Sequence, residues 1–301
     1  MTLLAFILNP AIMAVGALFL SVVWMVRDES DKTRPLLVFA LTLNVFFGFL
    51  LTYFMGREGG LLPFKYDHVL LNLDGALGLS AAGVARPLQG SLRIPFIVVY
   101  QLMVPMMILW FLVTQYRNMR GSVVLAYAAE LVAGPLLYAM LPGCGPAYAF
   151  RGHWLSPPAV AAEAVRLVGM PNAFPSLHMG TALVLVLFAP GKLWRAIAVA
   201  FLAATGLATL STGEHYIIDL VAGLAFGCFA ASVGYRRARP ALAYLAVTVA
   251  WTLAVRFGFG FLIAHAAVLG IMVAGTVAIA IHAVVKEWLQ PALSAPEPER
   301  A

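Results

Sequence analysis

The chain consists of long, uninterrupted runs of apolar residues separated by short segments that contain Gly, Pro and charged side chains. Hydrophobic residues occupy 62% of its 301 positions and charged residues only 11%. A soluble domain of this length cannot bury so much apolar surface, whereas a bilayer core about 30 Å thick accepts helices of about 20 apolar residues. Because the runs are continuous rather than alternating, they favour helices over a membrane barrel. The sequence therefore predicts an all-α integral membrane protein.

We predict about nine transmembrane helices within a single membrane domain that covers residues 1–301. The expected spans are, in order, about residues 4–26, 35–53, 94–116, 122–140, 174–188, 193–211, 215–234, 240–257 and 259–285. Residues 66–79 interleave leucines with polar side chains, a pattern that predicts an amphipathic helix lying in the membrane interface or folded back into the protein. The domain divides into N-terminal spans with this interfacial segment (about 1–94), a catalytic core (about 95–235), two extra spans (240–285) and a tail (286–301).

Basic residues are unevenly divided between the two sets of loops that nine spans create. One set is short and dense in arginine and lysine, while the other set is long and sparse. Because cytoplasmic loops carry an excess of basic residues, we expect the dense set in the cytoplasm of a bacterial-type cell. The starts of the fifth and seventh spans then face the extracytoplasmic side. The formal net charge of +6 reflects these loops, and no nucleic-acid partner is expected.

Two polar motifs stand at the starts of the fifth and seventh spans, on the same predicted face. The first ends in His178, and the second contains His215 and Asp219, which are four residues apart and so share one face of a helix. Asp219 can accept a hydrogen bond from one imidazole nitrogen of His215, which leaves a lone pair on the other nitrogen. Such a histidine suits nucleophilic attack or general-base catalysis. His178 could act as general acid toward a leaving oxygen.

The surroundings of His178 suit an anion. Ser176 and the free backbone N–H groups of the first helical turn would direct the positive end of the helix dipole toward a phosphate. Arg151 and Arg166, in the preceding loop, either bind phosphate through their guanidinium groups or serve as structural loop charges. The two histidines and Asp219 could instead ligate zinc. A phosphate site would be superfluous for a structural metal, so we expect neither a metal nor another cofactor.

These residues resemble the signature blocks of the type 2 phosphatidic acid phosphatase superfamily, a group of metal-independent membrane enzymes that hydrolyse or transfer phosphoryl groups of lipids. Residues 175–178 are similar to the second block, and residues 215–219 to the third. The resemblance implies that His215 is the nucleophile that forms a phosphohistidine and that Asp219 is its partner. It also implies that His178 protonates the leaving group and that the backbone around Ser176 binds phosphate.

The chain departs from the broad family pattern at two places. The third block of the family begins with Ser-Arg six to seven residues before its histidine, where this chain has Ala208 and Thr209. The first block, Lys-x6-Arg-Pro, is absent from residues 141–173. Residues 27–35 fit that block with arginine in place of lysine, but they fall on the predicted cytoplasmic side, so we interpret the match as chance.

With these departures, residues 174–178 and 214–219 look more like the inositol phosphorylceramide synthase (inositolphosphotransferase) branch, whose members move phosphorylated head groups between lipids. We therefore expect a lipid phosphotransferase that acts through a phosphohistidine at the extracytoplasmic face, with membrane lipids as its substrates. A lipid phosphate phosphatase of the same superfamily is the alternative, because only the group that attacks the phosphohistidine differs. A lipid or ion transporter is disfavoured because the polar residues cluster at one face. The donor lipid, the acceptor and the oligomeric state stay open.

Overall fold

The computed structural model describes residues 62–116 and 121–289, together with the isolated residues 23 and 42. The predicted spans at 4–26 and 35–53 lie outside the described residues, as does the end of the tail. Within the described residues the structure contains eleven α-helices. They are α1 (Asp67–Ala76), α2 (Ala81–Ala85), α3 (Arg93–Gln101), α4 (Met103–Tyr116), α5 (Val123–Met140), α6 (Pro146–Ala149), α7 (Leu177–Leu187), α8 (Lys192–Thr212), α9 (Ile217–Gly234), α10 (Ala238–Ala264) and α11 (Ala266–Leu289).

A small antiparallel sheet departs from the all-α prediction. Its strands are β1 (Phe64–Lys65) and β2 (Val165–Arg166), with Phe64 opposite Arg166. Each strand has two residues, too few for any periodicity in the sequence to indicate it. The pairing depends on a contact between segments about 100 residues apart, which the local sequence does not encode.

Five helices in the described part of the chain are long and apolar enough to cross a membrane, and these are α5, α8, α9, α10 and α11. Two further segments, residues 67–88 and 90–114, pass the same test only as bent pairs of helices, with bends of 80° and 45°. Helix α7 has 11 residues and is shorter than a bilayer requires. The described residues thus provide five to seven candidate spans, and the total of nine stays a prediction.

Some predicted boundaries are wrong. The span expected at 94–116 is broken at Leu102, between α3 and α4. Pro105 follows the break, and because proline has no N–H it cannot bond to the carbonyl one turn earlier. The last two spans were expected to meet at Gly258, but α10 continues to Ala264 and the break lies at His265. Glycine is well tolerated in membrane helices, so Gly258 does not end α10. Helix α11 extends to Leu289, which shortens the predicted tail.

Helix α9 is the centre of the bundle. It is 83% buried and packs against α5, α7, α10 and α11. Its contact with α7 is close, since a Cβ at Gly227 would lie 2.6 Å from the carbonyl oxygen of Gly180. Small residues allow helix backbones to approach in this way in membrane proteins. By contrast, α8, α10 and α11 are only 22–28% buried and expose apolar side chains, as helices that face lipid do.

Helix α1 lies against the bundle within the predicted amphipathic segment. Val69, Leu70 and Leu73 are fully buried and belong to the core that includes residues of α9 and α10. The chain before α1 is fixed by a 2.8 Å hydrogen bond from the N–H of Tyr66 to the carbonyl oxygen of Pro142. This burial favours a helix folded back into the protein, and its position relative to the membrane interface stays a prediction.

Candidate active site

Helix α7 begins directly after Ser176, which has an extended backbone and caps the helix. The Ser176 Oγ accepts a hydrogen bond from the N–H of Met179 at 3.3 Å. The N–H of Ser176 donates to the carbonyl oxygen of Asp219 at 3.0 Å, which joins the start of α7 to the first turn of α9. The N–H of Leu177 donates to the hydroxyl of Tyr138, and the N–H of His178 has no acceptor within the helix. This end of α7 therefore retains one backbone donor for an anion, beside the positive end of the helix dipole.

The turn that carries His215 connects α8 to α9 through residues 213–216. Gly213 ends α8 with φ at +76°, a left-handed conformation that favours glycine. The carbonyl oxygen of Gly213 accepts a 2.9 Å hydrogen bond from the N–H of Ala147. Gly145 lies so close that a Cβ there would be 2.2 Å from the carbonyl oxygen of Glu214. The loop around α6 thus braces this turn.

His215 contacts the backbone through one ring nitrogen and faces Asp219. Its Nδ1 lies 2.8 Å from the carbonyl oxygen of Ala173 and 3.5 Å from Oδ2 of Asp219. Because a carbonyl oxygen only accepts hydrogen bonds, Nδ1 carries the proton of the neutral ring and Nε2 keeps its lone pair. The short hydrogen bond that selects this tautomer is accepted by the carbonyl oxygen of Ala173, whereas the sequence predicts Asp219 as the acceptor.

The carboxylate of Asp219 has a second function in the structure. Its Oδ2 accepts a 2.8 Å hydrogen bond from the N–H of Tyr216 and so caps the start of α9. Its Oδ1 is buried and has no hydrogen-bond partner within the described part of the chain. Asp219 is therefore fixed beside His215, and its unbonded oxygen is available to stabilise a positive charge on the imidazole ring.

The structure brings His178 and His215 together, as the two motifs predicted. Their ring centroids are 5.9 Å apart and the ring planes are inclined at 67°. The ring of Tyr100, from α3, stacks on His178 with a centroid distance of 4.2 Å. Both histidine rings are thus held in defined positions at the junction of the starts of α7 and α9.

The electrostatic environment keeps His215 neutral at physiological pH. Burial lowers the pKa of His215 to about 4, and the hydrogen bond to Ala173 offsets only part of that effect. The side chain is 2% exposed. A neutral, buried imidazole with an available Nε2 is the protonation state that nucleophilic attack requires.

The two arginines predicted to bind phosphate lie at the surface. Arg151 is exposed in a 3₁₀ turn after α6, and Arg166 is exposed in β2. No hydrogen bond or ion pair among residues 62–116 and 121–289 joins either arginine to the histidine pair. Their role in phosphate binding stays a prediction.

Another basic side chain, Arg93 at the start of α3, lies near the site and is not among the residues predicted from the sequence. Its positive charge acts on Glu214, the residue before His215, and its Nε is buried without a hydrogen-bond partner in the described region. Glu214 also accepts a 3.1 Å hydrogen bond from the hydroxyl of Tyr148. Burial raises the pKa of Glu214 to about 7, while the Tyr148 hydrogen bond and the charge of Arg93 lower it. The spacing Arg86-x6-Arg93 in the sequence could have indicated this position, because it matches the spacing within the first signature block.

The sequence also left zinc as an alternative ligand of the site. No group of three or more His, Cys, Asp or Glu side chains arranged to hold a metal ion occurs within residues 62–116 and 121–289. His178, His215 and Asp219 accordingly do not form such a group in the structure.

The long apolar helices place the chain among the integral membrane proteins. A comparison with family models matches residues 68–233, more than half of the chain, to the PAP2 superfamily. The chain belongs to the PAP2 superfamily, and this confirms the resemblance of its sequence to the type 2 phosphatidic acid phosphatase superfamily. Membership suggests phosphatase or phosphotransferase activity on lipid phosphates. Comparisons with curated proteins and with solved structures gave no significant match.

Proposed function

We propose that the protein is a membrane lipid phosphotransferase that forms a phosphohistidine on His215. The observation that carries this proposal is the hydrogen bond from Nδ1 of His215 to the Ala173 carbonyl oxygen, which leaves Nε2 as a buried nucleophile beside His178. The start of α7 offers the N–H of His178 and the positive end of the helix dipole to the phosphate, and Arg93, whose charge acts on Glu214, supplies a nearby positive charge. The distribution of basic loops supports an extracytoplasmic active site.

In the first step, Nε2 of His215 attacks phosphorus, and the bond from phosphorus to the donor lipid oxygen breaks. His178 in its protonated form gives its proton to that oxygen, so the donor lipid leaves as an alcohol. The negative charge of the bound phosphate favours the protonated form of His178. The phosphorylated ring of His215 becomes more positive, and Asp219, 3.5 Å from its Nδ1, stabilises that charge.

In the second step, the hydroxyl group of an acceptor attacks phosphorus and the N–P bond breaks. The acceptor proton passes to His178, which restores both histidines to their starting states. Transfer and hydrolysis differ only in whether a lipid alcohol or water attacks. The burial of His215 supports a lipid acceptor, since it limits the access of water to the phosphohistidine.

Thr209 stands where the broad family has an arginine, and this difference supports head-group transfer within the inositol phosphorylceramide synthase branch. Thr209 is fully buried, and its hydroxyl donates to the carbonyl oxygen of Gly206 at 3.0 Å. It therefore offers no charge to a phosphate. The phosphate site accordingly depends on α7 and on basic residues from other elements, which distinguishes this chain from the generic phosphatase pattern.

An assay with the purified protein in lipid vesicles tests this proposal. A panel of phospholipid donors and phosphatidic acid is supplied with and without a fluorescent lipid alcohol, and both the phosphorylated product and inorganic phosphate are measured. We expect transfer to the alcohol, loss of activity in His215→Ala, and unchanged activity in His265→Ala, which alters an exposed histidine at the end of α10. EDTA should have no effect.

The two candidate reactions give different results in this assay. Release of inorganic phosphate without an acceptor would identify the phosphatase alternative. Full activity of a correctly inserted His215→Ala variant would contradict both reactions.

A further inference from the structure

Helix α1 presents two buried carboxylates to the backbone that surrounds His215. Asp67 and Asp74 are seven residues apart, so they project from the same side of α1, about 10 Å apart along its axis. Their side chains are 0% and 1% exposed. Both carboxylates bind backbone N–H groups, and Asp67 also binds a tyrosine hydroxyl.

Asp74 occupies the N-terminal end of α9. Its Oδ2 accepts the N–H of Ile217 at 2.9 Å, and its Oδ1 accepts the N–H of Ile218 at 3.0 Å. Asp219 accepts the N–H of Tyr216. The three consecutive N–H groups that follow His215 are therefore fixed by two carboxylates from separate helices.

Asp67 holds the other side of the same turn. Its Oδ1 accepts the N–H of Gly145 at 2.8 Å and the hydroxyl of Tyr216 at 3.1 Å, and the carboxylate also accepts the N–H of Cys144 at 3.1 Å. Gly145 packs on the carbonyl oxygen of Glu214. Through these bonds Asp67 connects the residues immediately before and after His215.

The carboxylate of Asp219 satisfies only the N–H of Tyr216, so the N–H groups of Ile217 and Ile218 depend on Asp74 for an acceptor. Burying this second carboxylate carries a desolvation cost, which its hydrogen bonds offset. The Asp74 carboxylate also fills the anion-binding end of α9, so the phosphate is left to the start of α7, where the cap is the local Ser176 hydroxyl. The two helix starts thus have different roles.

We propose that Asp74, together with Asp67, is a positioning residue of the active site: α1 fixes the turn that carries His215 and so sets the direction of its Nε2. This inference rests on the proposed function, because it concerns the orientation of the nucleophile in that reaction. A misplacement of about 1 Å costs about a hundredfold in rate when a reaction depends on alignment. Binding of the lipid phosphate, which uses α7, should be little affected.

The variant Asp74→Asn tests the inference with almost no change in side-chain volume. The amide oxygen can accept one N–H, while the NH₂ group faces the other N–H and cannot accept it. We expect kcat to fall about 10- to 100-fold with KM changed less than about threefold. Hydrogen exchange should become faster at the amides of Ile217 and Ile218 and unchanged in α7. Glu163→Gln, which removes an exposed carboxylate from the loop before β2, is the matched control and should behave as wild type.

Three results would overturn the inference. The first is an unchanged kcat in a folded Asp74→Asn variant, and the second is unchanged hydrogen exchange at the amides of Ile217 and Ile218. The third is a fall in kcat that is accompanied by a higher KM and by faster hydrogen exchange throughout the bundle. If Asp74→Asn does not fold, Tyr216→Phe removes only the hydroxyl that Asp67 binds. That variant should lower kcat about three- to tenfold without changing the melting temperature, and wild-type kcat would count against the inference. Full activity of His215→Ala would instead refute the proposed function, while the exchange measurement would still report on the contact made by Asp74.

Discussion

A methyl group added at Gly223 would lie 2.5 Å from the carbonyl oxygen of Ser176 and 3.0 Å from Cβ of Met179. Nonbonded carbon and oxygen atoms prefer about 3.5 Å, so α7 and α9 would have to separate by about 0.5–1 Å. Overpacking of this kind costs about 1–3 kcal/mol of stability. Because Ser176 begins α7 beside His178, the same displacement should lower turnover about 10- to 100-fold.

The matched control for Gly223→Ala is Gly258→Ala. Gly258 lies in α10, where an added Cβ would have no neighbour within 4 Å among the described residues. The control should retain activity and melting temperature, or gain stability, because alanine favours a helix by about 1 kcal/mol relative to glycine. The assay is thermal unfolding in detergent together with turnover in lipid vesicles. If Gly223→Ala matches Gly258→Ala in both measurements, the close contact between the two helix starts does not set the geometry of the site.

Three further predictions concern charge at the site. The folded protein keeps His215 neutral down to pH about 4, whereas the unfolded chain takes up the proton near pH 6.5. The free energy of unfolding should therefore fall by about 3 kcal/mol as the pH falls through that window. The variant His215→Gln should lose this part of the pH dependence in thermal unfolding. Glu214, with its pKa raised to about 7 by burial, becomes charged as the pH rises through 7 and then repels phosphate, so KM should rise there in the wild type and stay flat in Glu214→Gln. Arg93→Gln should raise KM for a lipid phosphate about 10- to 100-fold, the range expected for loss of a charge-assisted hydrogen bond, and a wild-type KM would exclude Arg93 from phosphate binding.

The features that the sequence predicted well are local. Long apolar runs define α5, α8 and α9, because the bilayer imposes a minimum length of apolar helix. The two motifs stand at helix starts, and one helical hairpin returns the chain to the same side. This is why the order of apolar runs and motifs along the chain is enough to predict that His178 and His215 lie together.

The features that the sequence missed depend on long-range contacts. The interleaved leucines and polar residues of 66–79 predicted an amphipathic helix without assigning partners to Asp67 and Asp74, and backbone N–H groups from two distant segments satisfy both carboxylates in the interior. Arg93 is likewise near Glu214 only through the packing of α3 beside α8, which the local sequence does not encode. The roles of Arg151 and Arg166 in phosphate binding stay predictions.

Rapid-quench trapping of a phosphoenzyme asks whether His215 becomes phosphorylated during turnover. The protein in vesicles is mixed with a donor lipid labelled at phosphorus, quenched with alkali within one turnover, and digested to locate the label. We expect an alkali-stable, acid-labile label on the peptide that contains His215, formed at the rate of turnover and discharged by the acceptor lipid. A label that persists in His215→Ala, or turnover by the wild type without any label on this peptide, would rule out His215 as the nucleophile.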